Sequence, residues 1–390
     1  MLDDEGKFIG FDVIIGNPPY GAELSEPERN FIKKRHNINN TDTAAVFMKF
    51  STEILSAKGL NSFIVPKPFV YASNWKQVQS TIINNLTDLI DCSKVWKEVK
   101  LEQVIYVYNN NLKSKTYNSL VRKNENIIKL GKINKKSFKD FGFILNGVND
   151  KELDIAYNMI SNNKFLNDIC LNQRGAPLQK YVSDNKSKYK VIGGKEISKY
   201  YYSNKIKGYL DEDFYINDKL NINENSLLVQ RIVAHLTKPI DHIKIIAISS
   251  KQLFQENLLI VDTINQLTNK SDYENYYILS LVNSKLVSWF SYRFIFGKAI
   301  RTVQFDNPTT SRIPIPNLDL TKKEDKENHD KLVNLVEQML LSQKALQTAE
   351  SDSEKKFALQ KVTAFDTQID TIVYKLYNLT EEEIQIVEEG

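Results

Sequence analysis

The sequence predicts three parts in order: an α/β sheet domain, an α+β domain and a C-terminal helical hairpin. Three observations predict them. Up to residue 108, apolar runs of strand length alternate with segments whose apolar residues fall at helical spacing. Between 164 and 320, shorter strand-like runs lie in a basic, tyrosine-rich background. Beyond 321, two long stretches carry apolar residues at steps of three and four. The expected boundaries are 1–115 for the sheet part, 116–163 for a connecting segment, 164–320 for the α+β domain and 321–390 for the hairpin. At 390 residues with 42% hydrophobic and 26% charged residues, the chain is long enough for two or three separate cores.

The first element is the run Phe11-Asp12-Val13-Ile14-Ile15-Gly16, which reads as a buried strand ending in a tight turn. The turn is Asn17-Pro18-Pro19-Tyr20. After a polar loop from Ala22 to Asn40, Asp42 opens a helix with Val46, Phe47, Phe50, Ile54 and Leu55 on one face, expected to stop at Lys58-Gly59. Ser62 to Pro66 reads as a strand and Trp75 to Leu86 as an amphipathic helix. Two further strands, Leu89 to Ser93 and Val104 to Tyr108, bracket a loop that carries Trp96.

The turn carries the chemistry. A nitrogen bearing two hydrogens can be attacked through its lone pair when acceptors hold both N–H bonds and turn the lone pair out of conjugation. Asn17 offers a side-chain carbonyl and Pro18 a backbone carbonyl. The two prolines have fixed φ and no N–H, so the loop presents acceptors without competing donors. Tyr20 adds a flat face on which a planar base can stack. An Asn-Pro turn by itself is ordinary strand punctuation; strand, Asn-Pro-Pro and aromatic together are much rarer.

This arrangement resembles the catalytic loop of amino-group methyltransferases that use S-adenosylmethionine, specifically the TaqI-like adenine-N6 DNA methyltransferases of type II and type IIG restriction-modification systems. Glutamine methyltransferases acting on release factors share the tetrad. The resemblance implies that residues 1–115 form the C-terminal half of a Rossmann-like class I methyltransferase sheet, and that Asn17, Pro18, Pro19 and Tyr20 are catalytic. It implies further that Trp96 stacks on a flipped adenine opposite Tyr20; read without it, a tryptophan is more often a core or interface residue. Two stacking faces of about 1 to 3 kcal/mol each offset the few kcal/mol needed to unstack and unpair a base. No general base is required, since methylation gives a cationic amine that loses its proton afterwards.

A sheet of this kind binds its cofactor at a glycine-rich turn after the first strand. Met1 to Gly10 hold no such turn, and Gly193-Gly194 follows no apolar strand. The S-adenosylmethionine site is therefore expected to be incomplete, its residues unknown, with the rest supplied by a missing N-terminal segment or a separate chain.

Net charges of +4, +6 and −6 fall on residues 1–163, 164–320 and 321–390. Between Arg174 and Lys207 nine basic residues stand against two acidic ones, with Tyr181, Tyr189, Tyr200, Tyr201 and Tyr202 interleaved. Basic residues mixed with aromatics suit phosphate and groove contacts, although lysine runs are often solvated faces. The order of the segments at Cys170–Pro177, Tyr189–Ile197, Leu227–Val233, Tyr277–Lys285 and Arg312–Pro316 resembles the specificity domain of the same family, which implies a target-recognition domain over 164–320. Arg174, Lys195, Lys199, Arg231, Lys298 and Arg301 are the candidates for contact with double-stranded DNA; Arg231, set in an apolar strand, reads equally as a buried structural arginine. A long recognition portion favours DNA over a protein substrate. A DNA-binding module without catalysis, and a protein or RNA amino-group methyltransferase, stay open.

In the tail, Leu332, Leu335, Val336, Met339, Leu340 and Leu346 line one helix, and Ala358, Val362, Phe365, Ile369, Ile372 and Leu376 a second, with a turn at Ser351-Asp352-Ser353. Thr380 and Glu383 are spaced to cap a last short helix. His36, His235, His242 and His329 lack metal-site spacing, so no metal is expected. Cys92 and Cys170 indicate reduced thiols and a cytoplasmic protein. No apolar run approaches the roughly 20 residues that cross a bilayer, so no membrane partner is expected.

Overall fold

A computed structural model describes residues 2–22, 24–38, 42–95, 101–214, 220–238, 240–253, 258–300 and 303–390. The chain divides into two compact units, Met1–Asp154 with Arg293–Ile300, and Ile155–Tyr292 with Arg301–Gly390.

The first unit is built on a six-stranded sheet. Its elements are β1 (Phe11–Gly16), α1 (Glu26–His36), α2 (Thr43–Glu53), β2 (Leu55–Pro66), the one-turn α3 (Pro68–Tyr71), α4 (Lys76–Ile82), β3 (Leu86–Ser93), β4 (Gln103–Asn109), β5 (Thr116–Lys123), β6 (Asn126–Asn134) and the short α5 (Ser137–Phe141), and α6 (Asp150–Ile160) begins here and passes into the second unit at Ile155. The strand order is β1-β2-β4-β3-β5-β6. β1 runs parallel to β2 and β3 parallel to β5, while β4 lies antiparallel between β2 and β3. Val65, Val104, Tyr106, Leu89, Phe69, Val78 and Ile82 are all buried in this unit. Each full burial of this kind is worth about 1.5–3 kcal/mol.

Two expectations for this unit need correction. The continuous apolar run of β1 predicts a strand covered on both faces. It is instead the edge strand: β2 is its one neighbour among the described residues, and Phe11, Val13 and Ile15 are 43%, 62% and 79% exposed. α2 was expected to reach Lys58-Gly59 but stops at Glu53, and β2 begins at Leu55. The Phe11 amide bonds the Ile54 carbonyl at 2.9 Å, which draws the chain into the sheet. The register then jumps from Phe11↔Leu55 to Val13↔Leu60. Gly59 lies in that bulge, where a Cβ would stand 2.7 Å from the Phe11 carbonyl oxygen, so glycine is what lets the strands approach.

The second unit contains β7 (Cys170–Arg174), β8 (Tyr189–Ile192), β9 (Gly208–Leu210), β10 (Ser226–Gln230), β11 (Ala247–Ser249), β12 (Leu258–Ile260) and β13 (Ile264–Asn269). A four-stranded antiparallel sheet has the order β11-β10-β13-β7, and a three-stranded sheet the order β9-β8-β12. α7 (Asn275–Val282) and α8 (Lys285–Phe294) follow, α8 passing into the first unit at Arg293, and Trp289 and Tyr292 on its second-unit part are buried. Pro314–Ile315 pairs with Lys164–Phe165, bringing the two ends of the 164–320 stretch together. α9 (Lys323–Thr348) and α10 (Asp352–Leu376) pack as a helical hairpin, with Leu332, Leu335, Val336, Met339, Ala358 and Ile369 buried. Ser351 caps α10 by accepting the Glu354 amide, and Thr380 caps α11 (Glu381–Glu389) in the same manner, as its spacing to Glu383 predicts.

No helix among the described residues is long and apolar enough to cross a membrane. Among the same residues no group of three or more His, Cys, Asp or Glu side chains could hold a metal ion. Cys92 and Cys170 are free, buried thiols.

Candidate active site

Strand pairing sets where the site lies. Gly16 pairs with Phe63 in the parallel β1–β2 ladder, while Pro66 and Ser93 both pair with Gln103 at the start of β4. The loops after β1, after β2 and between β3 and β4 therefore leave the sheet at one edge. This is the carboxyl edge of its parallel strands, where open α/β sheets form ligand crevices.

The loop after β1 is Asn17–Tyr20. Asn17 and Pro19 are exposed, Pro18 is buried and Tyr20 is half-buried, with its phenol pKa raised by that burial. Among the described residues nothing bonds to the Asn17 side chain or to the Pro18 carbonyl. The Pro19 carbonyl, in contrast, accepts a 2.7 Å hydrogen bond from the buried Thr43 hydroxyl at the start of α2. Asn61 on β2 steadies the strand below, donating to the Ile14 carbonyl at 3.2 Å while accepting from the Tyr106 hydroxyl at 2.5 Å. The result is a loop anchored at Pro19, with Asn17 exposed and Pro18 buried at the strand end.

Beside it, just past the end of β2, stands Lys67. Its ammonium donates to Asp91 Oδ2 at 2.9 Å, Glu102 Oε1 at 3.0 Å and the Lys298 carbonyl at 2.9 Å, which uses all three protons. Lys67, Glu102 and Asp91 are only 2%, 3% and 7% exposed. Burial opposes the charge on Lys67, but the carboxylates of Asp91 and Glu102 outweigh it and hold the pKa above the ordinary lysine value. Glu102 Oε2 accepts the Ile300 amide at 2.8 Å, and Asp91 Oδ1 the Ser93 amide at 2.9 Å. Next to this node Glu152 accepts from Arg293 Nε at 2.7 Å and pairs with Lys298 Nζ at 3.3 Å. Three carboxylates thus meet three cations inside one unit. Sequence reasoning missed the node, as no local spacing links its members.

Trp96 and Arg301 lie outside the described residues. Of the other candidates for DNA contact, Lys195 is exposed, and Arg174 is 48% exposed and paired with Asp262 at 2.5 Å. Lys199 is held by both Asp366 oxygens, at 2.6 and 2.8 Å. Arg231 is 11% exposed, gripped by Asp306 through Nε at 3.0 Å and by Gln304 through Nη2 at 2.5 Å. Lys298 belongs to the first unit, where it pairs with Glu152; burial pulls its pKa down. The Gly193 and Gly194 amides are taken by Glu196 and Thr263, and a Cβ on either would come within 2.9 Å of Thr263, so this pair serves close packing.

Residues 2–96 match the family described as Eco57I restriction-modification methylase. The chain resembles restriction-modification methyltransferases. It is 24% identical over 402 residues, 95% of this chain, to a protein of Methanocaldococcus jannaschii described as a type II restriction enzyme and methyltransferase. It is 29% identical over 89 residues, 22% of this chain, to the type II methyltransferase M.VspI of Vibrio sp. (strain 343). Among solved structures, the Type IIL restriction-modification enzyme MmeI, determined in complex with DNA, matches 97% of this chain with a TM-score of 0.63 at 12% identity. The chain spans 31% of the length of the Methanocaldococcus relative, 22% of M.VspI and 56% of the MmeI chain.

Proposed function

We propose that this chain carries the catalytic loop and the DNA-reading portion of an S-adenosylmethionine-dependent adenine-N6 DNA methyltransferase of a restriction-modification system. The observation that carries the reading is the Asn17–Tyr20 loop at the carboxyl edge, with the Asn17 and Pro18 acceptors open and Pro19 pinned by Thr43. Adenine N6 has two N–H donors for those two acceptors, and held this way its lone pair leaves the ring conjugation and becomes nucleophilic. Tyr20 supplies one stacking face for a base flipped from the duplex, and Trp96 the other. The cofactor would supply an electrophilic methyl group. No glycine-rich nucleoside turn is found among the described residues, since the Gly193-Gly194 amides are already engaged.

DNA as the partner is supported by similarity to restriction-modification enzymes and by the basic, tyrosine-rich stretch from Arg174 to Lys207. In that stretch Lys195 is exposed and open to a phosphate, whereas the ion-paired Arg231 and Lys199 serve packing first. The test is to express the complete coding region in a host without DNA methylases and to map modified bases across its genome. N6-methyladenine at one recurring sequence, lost in Asn17→Ala, is expected. Methylated cytosine, or labelled methyl groups found in protein or RNA alone, would overturn the assignment.

A further inference from the structure

We propose that Lys67 is a positioning residue for base capture: it fixes the Lys298 carbonyl, and with it the strap Gly297–Ile300, at the sheet edge from which the Asn17–Tyr20 loop emerges. The proposal rests on the function given above and adds a residue to it.

Three observations carry it. First, Lys67 ties together three separate pieces of chain. Asp91 lies near the end of β3, Glu102 stands immediately before β4, and Lys298 comes from a segment more than a hundred residues further along. Second, the strap is bent into a conformation it would not choose. Gly297 and Lys298 have φ of 57° and 54°, so two successive residues are left-handed and one of them carries a Cβ. That costs of order 1 kcal/mol for the lysine. The bend persists because both polar groups it turns inward have partners: the Lys298 carbonyl meets Lys67 Nζ and the Ile300 amide meets Glu102 Oε2. Third, the cluster is a poor device for stability alone. Desolvating three carboxylates and three cations is expensive, and well-packed apolar residues of similar volume often serve as well or better. Charge is useful here because it sets direction, as an ammonium with three fixed acceptors permits a single arrangement of the elements that supply them.

The node is close to the chemistry. β1 and β2 are neighbours in register at Gly16 and Phe63, so Lys67 stands about one strand spacing, ~4.8 Å, to the side of the catalytic loop's line of exit. Asp91 and Glu102 also fix the two strand ends from which the loop of Trp96 starts and to which it returns. Lys67 touches no reacting atom in this account. Its effect passes through the groups it holds.

The experiment uses the full-length enzyme, a duplex containing the mapped target, and the same duplex with 2-aminopurine at the target adenine, whose fluorescence rises when the base leaves the stack. The variants are Lys67→Met, Lys67→Arg and Glu102→Gln. For Lys67→Met we expect a cooperative melt, a duplex Kd within threefold of the parent, kcat lowered at least thirtyfold, KM little changed and most of the fluorescence rise lost. Lys67→Arg should restore part of both kcat and fluorescence. If Lys67→Met does not fold, Glu102→Gln decides: it removes one carboxylate charge and leaves a single oxygen where Lys67 and the Ile300 amide had one each, and should lower kcat three- to tenfold at unchanged Kd. Equal turnover and fluorescence in parent and variants would overturn the proposal. So would losses of duplex affinity and melting temperature in step with turnover, which would mark a purely structural lysine. A parent that methylates its target without any fluorescence rise would overturn the base-capture role while leaving the enzymatic assignment intact.

Discussion

Replacing Asp370 by Asn should stabilise the protein at neutral pH, and the gain should vary with pH in a defined window. Asp370 lies half-buried on α10, where Oδ1 accepts the Lys285 amide at 2.9 Å. Burial is the main reason its pKa is pushed up to about 6 from an ordinary 3.8, and the carboxylates of Asp366 and Glu388 add to the rise against the opposing pull of Lys199. Between pH 4 and 6 the folded protein therefore holds a proton that the unfolded chain has released, so stability falls as pH rises through that range. Above pH 6 the charged form carries the full penalty. A shift of about two units corresponds to roughly 3 kcal/mol, and residual solvent access reduces the expected effect to about 1–2 kcal/mol. Asn keeps an oxygen for the Lys285 amide and removes the titration. Urea melts of parent and variant from pH 4 to pH 8 give the difference in stability directly. That difference should be near zero at pH 4, grow to pH 6 and level off. A difference that stays constant across the range would refute the assignment of a strained carboxylate.

Removal of the Thr43 hydroxyl in Thr43→Val frees the Pro19 carbonyl; losing one such bond, worth about 1 kcal/mol, should lower kcat five- to tenfold in a methyl-transfer assay with duplex affinity unchanged. Tyr20→Ala removes a stacking face worth about 1–3 kcal/mol, so the fluorescence of a 2-aminopurine target should fall toward the stacked value. Arg231→Met breaks the pair with Asp306 and should cost about 1–3 kcal/mol in a thermal or urea melt, leaving the salt dependence of DNA binding as in the parent. Lys195→Ala should do the reverse, reducing the slope of log K against log salt by about one at constant melting temperature.

The elements most legible in the sequence were those whose signal is local. The turn at Asn17–Tyr20, the strands at Leu89 and Val104, the alternating seams of the hairpin and the Thr380 cap are set by spacing and turn chemistry within a few residues. Events that depend on distant partners were not legible. β1 carries the apolar composition of a central strand, yet its neighbours decide its burial, and composition holds no information on how many it has. α2 gave way to β2 at Leu55 because the Phe11 amide offered a ladder bond from more than forty residues away. Arg231 and Lys199 look like phosphate ligands in a list of basic residues, but Asp306 and Asp366, each more than seventy residues distant, engage them. The Lys67 cluster is the clearest case: its three cations and three carboxylates are scattered from residue 67 to residue 298, and only the fold makes them neighbours.

The open side of β1 determines how this chain behaves in a test tube. Among the described residues β1 pairs with no strand but β2, and its outer edge, flanked by Phe11, Val13 and Ile15, is a template onto which another extended backbone can add. At the concentrations used for purification, a second molecule is the nearest such backbone, and self-association would then mimic cooperative DNA binding in a gel-shift titration. A gatekeeper lysine in place of Val13, on the solvent side of the strand, would keep preparations monodisperse and let affinities be read without that artefact.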